Sequence, residues 1–122
     1  MIVGPITRTD IVKYQGASGD MNPIHHDEPF AQNAGYQTPL VIGMLPAGIL
    51  NTWATNWLGP ENIRKTKIRW IAQVWPGDTL IFSGTIARKY QENGEKKIVL
   101  NLQCKRGEDL VLQAWSTFCL PH

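Results

Sequence analysis

The stretch from Gly43 to Leu58 constrains this chain more than any other. Drawn as a helix, it puts Met44, Leu45, Ala47, Ile49, Leu50, Trp53, Ala54, Trp57 and Leu58 around its whole circumference. A helix apolar on every side is buried rather than laid on a surface. Gly59-Pro60 supplies the stop, and Pro46 is tolerated because its missing N–H falls in the first turn, where it has no partner. After this segment the apolar period changes to two. Ile68, Trp70, Ala72 and Val74 share one face, and Pro76-Gly77-Asp78 turns the chain. Leu80, Phe82, Gly84 and Ile86 come next, then the hairpin signal Asn93-Gly94. Ile98, Leu100, Leu102 and Cys104 follow, and after Gly107-Glu108-Asp109 come Leu110, Leu112, Ala114 and Phe118. Four successive strands with short turns predict an antiparallel meander with one apolar face. One such sheet and one swallowed helix have a common solution, an α+β architecture in which the sheet curls around the helix.

The remainder of the chain reads as short helices and loops. Ile2 to Thr7 predicts a short opening strand. Thr9 or Asp10 is expected to cap a helix through Ile11-Val12-Lys13-Tyr14, ended by Gly16 and Gly19. Asp27 is a good N-cap with Pro29 just inside, so Glu28 to Ala34 predicts a second helix closed by Gly35. At 122 residues the expectation is a single domain over 1–122, with an apolar fraction of 43% and a charged fraction of 18% typical of globular chains. A net charge of +2 with scattered Lys and Arg argues against nucleic acid. The apolar run from Leu40 to Leu50 is interrupted by Gly43, Pro46 and Gly48 and falls short of the roughly 20 residues of a membrane span. Met1-Ile2-Val3-Gly4-Pro5 has neither a basic nor an apolar leader region, and two cysteines make no disulfide framework. A reduced, cytoplasmic setting is expected.

The chemistry concentrates in Ser18-Gly19-Asp20-Met21-Asn22-Pro23-Ile24-His25. Asn-Pro initiates turns, and proline drives the residue before it out of helical conformation. The segment therefore folds back on itself, which can bring the Asp20 carboxylate and the His25 imidazole into one small volume. General acid–base chemistry uses such a pairing of an imidazole with a partner that orients it. The bland alternative is that Asp20 caps a turn and His25 satisfies a buried polar group. His25-His26-Asp27-Glu28 is a poor metal site, because adjacent histidines rarely share one ion and Asp27 is explained as a cap; no metal is expected. Cys104 and Cys119 fall in strand patterns and read as packing residues. The basic stretch Arg64, Lys65, Lys67 and Arg69 reads as a solvated strand edge, with contact to the phosphates of a ligand as the alternative.

Gly19-Asp20-Met21-Asn22-Pro23-Ile24-His25, followed by Asp27, Ala31, Gly35, Pro39 and Gly43-Met44, resembles the MaoC-like, R-specific enoyl-CoA hydratase (hydratase 2) family. Val74-Trp75-Pro76-Gly77-Asp78-Thr79-Leu80 is similar to that family's Pro-Gly-Asp turn. The resemblance implies a hot-dog fold, usually dimeric, and reversible hydration of trans-2-enoyl-CoA to (R)-3-hydroxyacyl-CoA. It implies that Asp20 and His25 are the catalytic pair, and that the N–H of Gly43 polarises the thioester carbonyl. Asn22 would brace the loop. Asn51 stands where relatives often carry a serine within reach of the aspartate, and Ile42 stands where many have a histidine. No cofactor is implied, since the CoA thioester is itself the substrate. The expected partners are the acyl-CoA and a second hot-dog subunit, in a homodimer or a heteromer. Two other readings stay open: a hot-dog thioesterase, and a non-catalytic or acyl-CoA-binding subunit of a heteromeric hydratase.

Overall fold

The structure is a computed structural model and describes residues 1–120. The chain opens with β1 (Ile2–Val3) and α1 (Arg8–Ser18). The cap of α1 lies earlier than expected: Thr7 holds that position, and Asp10 completes a reciprocal capping box. The Thr7 hydroxyl accepts from the Asp10 N–H at 3.1 Å, and the Asp10 carboxylate accepts from the Thr7 N–H at 2.8 Å. That backbone bond holds the Asp10 carboxyl below its usual range. Gly16 does not end α1; Gly19 does, with a left-handed φ of 79°. A 3₁₀ turn (Pro23–His25) leads into α2 (Glu28–Asn33), capped as expected by Asp27, whose Oδ1 accepts from the Phe30 N–H at 3.2 Å.

The central helix α3 (Met44–Leu58) has Gly43 at its N-cap and Gly59 at its end. Its burial corrects one expectation. Pro46, Ala47, Leu50 and Ala54 are buried, but Met44 and Trp57 are about half exposed, at 48% and 49%. The sheet covers one side of α3, while the opposite flank borders an apolar groove of 440 Å³ with Val3, Tyr14, Ile49 and Trp53 in its walls.

Four long strands follow: β2 (Ile63–Trp70), β3 (Leu80–Glu92), β4 (Glu95–Arg106) and β5 (Asp109–Leu120). All pairings are antiparallel, but the order is β1-β3-β4-β5-β2, so only β3, β4 and β5 form a meander. β2 pairs with β5, and the segment from 71 to 79 carries the chain to the opposite side of the sheet. Alternating apolar residues dictate which face of a strand points inward and say nothing about its neighbour. Likewise β2 stops at Trp70, and Ala72 and Val74 fall in the crossover rather than in the strand. The Asn93-Gly94 hairpin forms as expected, with φ of 53° and 76° at the two residues.

Leu80, Phe82, Leu100, Leu102, Cys104, Leu112, Ala114 and Phe118 line the inner face and pack with Ala47, Leu50 and Ala54 of α3. A Cβ on Gly84 would lie 2.6 Å from the Trp53 ring, so glycine is what lets α3 seat that indole against β3. A register shift between Ile86 and Arg88 accompanies the departure of Ile86 from this core, and it is 46% exposed. The fold is the hot-dog arrangement, a five-stranded sheet partly wrapped around one long helix.

Candidate active site

The loop between α1 and α2 is built from short-range polar contacts. The Asn22 side chain accepts from the Ile24 N–H at 3.1 Å, and the Asn22 N–H donates to Asp20 Oδ1 at 3.2 Å. These two turns leave Oδ2 of Asp20 for other contacts. Beneath them lies Gln15, one of the few buried polar residues, at 2% exposure. Its amide nitrogen donates to the carbonyls of Asp20 (3.0 Å) and Asn22 (3.3 Å), and its amide oxygen lies 3.2 Å from Nδ1 of His26. One side chain thus ties the helix to both arms of the loop. Sequence reasoning missed Gln15. Its i,i+4 spacing from the buried Ile11 marks the inward stripe of α1, but nothing in the sequence names its acceptors.

His25 is inward-facing, with its side chain 12% exposed against 44% for Asp20. Its Nδ1 lies 2.8 Å from the carbonyl oxygen of Leu40. A carbonyl only accepts, so in the neutral ring the proton sits on Nδ1 and the lone pair on Nε2. That Nε2 faces Asp20 Oδ2 at 3.9 Å. The separation is too long for a direct hydrogen bond and fits one water molecule donating to both atoms. Leu40 is itself fixed, because its N–H donates to the Ile24 carbonyl at 3.0 Å, and the next N–H, of Val41, donates to Val74 at 2.9 Å.

His25 and Gly43 line one cleft of 540 Å³, closed on its other sides by Leu40, Val41 and the residues from Trp70 to Gln73. Trp70 donates its indole N–H to the Gly43 carbonyl at 2.9 Å. Among the described residues the Gly43 N–H has no acceptor, as expected for the first amides of a helix, and the dipole of α3 adds positive potential there. A Cβ at this position would press on the Trp70 ring at 3.2 Å. An imidazole with a free lone pair and an unused amide therefore share one cleft, and the Asp20 carboxylate lies beside the imidazole.

The MaoC like domain family matches residues 3–105. The chain belongs to that family. It is 29% identical to an (R)-specific enoyl-CoA hydratase of Rhodospirillum rubrum over 118 residues, which is 95% of this chain and 81% of that one. Several other curated relatives are far longer, and the chain spans between 5% and 24% of them. Among solved structures, the ChsH1-ChsH2 complex from Mycobacterium tuberculosis superposes with a TM-score of 0.84 at 20% identity, covering 99% of this chain and 92% of the other. The (R)-hydratase from A. caviae involved in PHA biosynthesis gives 0.83 at 18% identity, covering 99% and 93%. At those identities the likeness shows the hot-dog fold alone.

Within this MaoC-like domain Asn51 is not brought to Asp20. It lies on α3, and its Oδ1 accepts from the Thr66 hydroxyl at 3.5 Å, beside a Thr66–Ser116 hydrogen bond of 2.8 Å. Two helical turns separate it from the N-cap, so the residue faces β2 instead of the loop. The neighbours of His25 are committed elsewhere: His26 to Gln15, Asp27 to the cap of α2, and Glu28 to Arg8 at 2.9 Å. Burial pushes the Cys104 thiol up to about 12. Hydrogen bonding to Glu95 raises that of Cys119. Both cysteines are held as thiols. No helix among the described residues is long and apolar enough to cross a membrane.

Proposed function

We propose that this MaoC-like domain adds water across the double bond of a trans-2-enoyl-CoA to give the (R)-3-hydroxyacyl-CoA, and runs the reverse dehydration. The observation that carries this reading is the Nε2 lone pair of His25, freed by the Leu40 bond and facing both Asp20 and the cleft that holds Gly43. The likeness to the (R)-specific enoyl-CoA hydratase of Rhodospirillum rubrum supports it.

A 2-enoyl thioester becomes electrophilic at C3 when its carbonyl oxygen is polarised. The Gly43 N–H is the donor for that oxygen and for the enolate that forms from it; losing such a donor costs about 3–4 kcal/mol of transition-state stabilisation in comparable sites. Water held between Nε2 and Oδ2 loses a proton to His25 as its oxygen bonds to C3. The enolate then collapses, and the same acid–base pair returns the proton to C2. Net, one water is added and no group on the protein changes. Dehydration retraces these steps.

The test follows the conjugated-thioester absorbance when the pure chain meets a panel of trans-2-enoyl-CoAs. Turnover is expected, with (R) product. No turnover at any chain length would overturn the catalytic reading. The second reading, a subunit of a heteromeric hydratase, is favoured by the likeness to the two-component ChsH1-ChsH2 complex. It predicts turnover only after a partner is added.

A further inference from the structure

The peptide group shared by Leu40 and Val41 has both of its polar atoms engaged. Its carbonyl accepts from Nδ1 of His25 at 2.8 Å, and its N–H donates to the Val74 carbonyl at 2.9 Å. That carbonyl belongs to the peptide group of Val74 and Trp75, whose N–H donates to Oδ2 of Asp78 at 2.9 Å. Imidazole, two peptide groups and carboxylate are thus joined head to tail, with every donor pointing the same way. The far end is held as well. Nη1 of Arg106, the last residue of β4, donates to Asp78 Oδ2 at 2.9 Å and to the Gln73 carbonyl at 2.8 Å.

We propose that Asp78 is a positioning residue for His25, acting through these two peptide groups as an orienting carboxylate does when it touches a catalytic imidazole directly. A peptide group is planar and conjugated, so a partner drawing on its N–H shifts electron density onto its oxygen. Hydrogen bonds aligned in one sense strengthen one another, and more so away from water. Leu40, Val41 and Val74 are only 8%, 5% and 4% exposed. The charge of Asp78 therefore makes the Leu40 oxygen a better acceptor. It keeps the proton on Nδ1 and stabilises the positive ring that forms when Nε2 takes a proton from water. The amide protons stay in place; only polarisation passes along the chain. The catalytic role rests on the hydration reading of His25, whereas the bonded chain does not.

Bracing the Pro76-Gly77 turn is the ordinary task for a carboxylate at this position. The backbone already closes that turn, since the Asp78 N–H donates to the Trp75 carbonyl at 3.1 Å. A brace has no need of the grip that Arg106 keeps on Gln73. That grip fixes the peptide group before Val74, and Asp78 fixes the one after it. Bracketed in this way, the Val74 carbonyl is aimed at Val41.

Two substitutions test the chain. Asp78→Ala deletes the terminal acceptor, and Asp78→Asn keeps an oxygen that accepts more weakly. Nitrogen NMR, at a pH above the range in which histidines titrate, should show the parent ring protonated at Nδ1, the His25 signal being the one lost in His25→Ala. In Asp78→Ala the Nδ1 proton should move upfield and exchange faster, and the Val41 and Trp75 amides should lose exchange protection. Asp78→Asn should move the same way by less, and it carries the test if Asp78→Ala does not fold. On a trans-2-enoyl-CoA, kcat should fall about tenfold in Asp78→Ala, the weight of one hydrogen bond to a charged group, with KM nearly unchanged. Added to His25→Ala, the same substitution should cost no further activity, because it acts through the ring. Arg106→Lys should recover most of what Arg106→Met loses. A ring signal that stays put in both Asp78 variants would overturn the proposal, and so would a loss of kcat that persists undiminished without His25. In a parent without turnover the hydration reading fails by itself, and the ring signal alone decides whether Asp78 sets the tautomer.

Discussion

The carbonyl oxygen of Leu40 sits 2.8 Å from Nδ1 of His25 and thereby decides which ring nitrogen is free. A histidine on a loop could present either nitrogen; this one is pinned by backbone from a segment 15 residues away. The pin is rigid because Leu40 and Val41 are each anchored through their own N–H groups. In the proposed mechanism the bland role of His25 and its chemical role thus coincide. Satisfying a buried carbonyl with Nδ1 is what turns Nε2 toward Asp20.

Replacing either member of this pair should remove catalysis; Asp20→Asn should spare the fold, whereas His25→Ala also leaves the Leu40 carbonyl without its donor and should cost about 1–3 kcal/mol. Asp20→Asn and His25→Ala are each expected to lower kcat by about 10²–10⁴. The double variant should cost little more than the worse single one, because in the proposed mechanism the two groups act on one water. Asp20 is 44% exposed and contributes little packing, so the melting temperature of Asp20→Asn should stay near that of the parent. Steady-state kinetics alongside thermal melts check both halves. Full activity in either variant would remove that residue from the mechanism.

Gln15 is the hub beneath the loop. Gln15→Leu keeps the volume but strips the Asp20 carbonyl of its donor and leaves that of Asn22 with the His25 N–H alone. Leaving a carbonyl unpaired costs about 1–3 kcal/mol. Urea denaturation should register that loss as a lower midpoint with an unchanged slope. Activity should fall as well, since the positions of Asp20 and His25 depend on the same anchor. Gln15→Glu retains an acceptor for His26 and cannot donate, so it should behave like the leucine variant.

Much of the fold was legible in the sequence, and the reason is periodicity. The apolar residues spread around α3, the inward stripe from Ile98 to Cys104 and the Asn93-Gly94 hairpin each have a local signature. The pairing of β2 with β5 has none, because the alternation in Ile68 and Trp70 is the same whichever strand lies alongside. The uncovered flank of α3 escaped for a related reason: an apolar helix says it will be buried, not whether one chain suffices to bury it. At the site, Asp20, Asn22 and His25 were readable because Asn-Pro fixes a turn between them. Gln15 and Trp70 were not, since they bond to backbone carbonyls, which every residue has and no side chain announces. Asn51 came from family likeness alone, and in this chain its partner is Thr66.

Trp70 fixes the start of α3 through the Gly43 carbonyl and forms one wall of the cleft. Trp70→Phe preserves an aromatic wall and deletes the N–H. The lost hydrogen bond costs about 0.5–1.5 kcal/mol of stability, toward the low end because the side chain is half exposed. With Gly43 less firmly held, kcat/KM should drop by at most roughly tenfold, the full weight of that bond. Gly43→Ala should be worse, because its Cβ drives the indole aside and narrows the approach to the amide. Equal kinetics for the parent and both variants would show that substrate does not use this wall.

Acid stability should carry the signature of one ion pair. Arg64 lies 2.9 Å from Glu95, and this hydrogen bond holds the Glu95 carboxyl at about 2 against an ordinary 4.5. Between those values the unfolded chain binds a proton that the native chain does not, so stability rises with pH across the window. The contribution is complete above about 4.5 and is lost as pH falls toward about 2. Arg64→Met should return Glu95 toward its ordinary value and flatten this part of the acid limb. Both side chains are about a third exposed, at 37% and 32%, so salt should shrink the effect. Urea midpoints for parent and variant, taken from neutral pH down through the window, should converge on acidification. A gap that stayed constant would mean that Arg64 stabilises the chain through its bonds to the carbonyls of Glu61 and Ile63 instead.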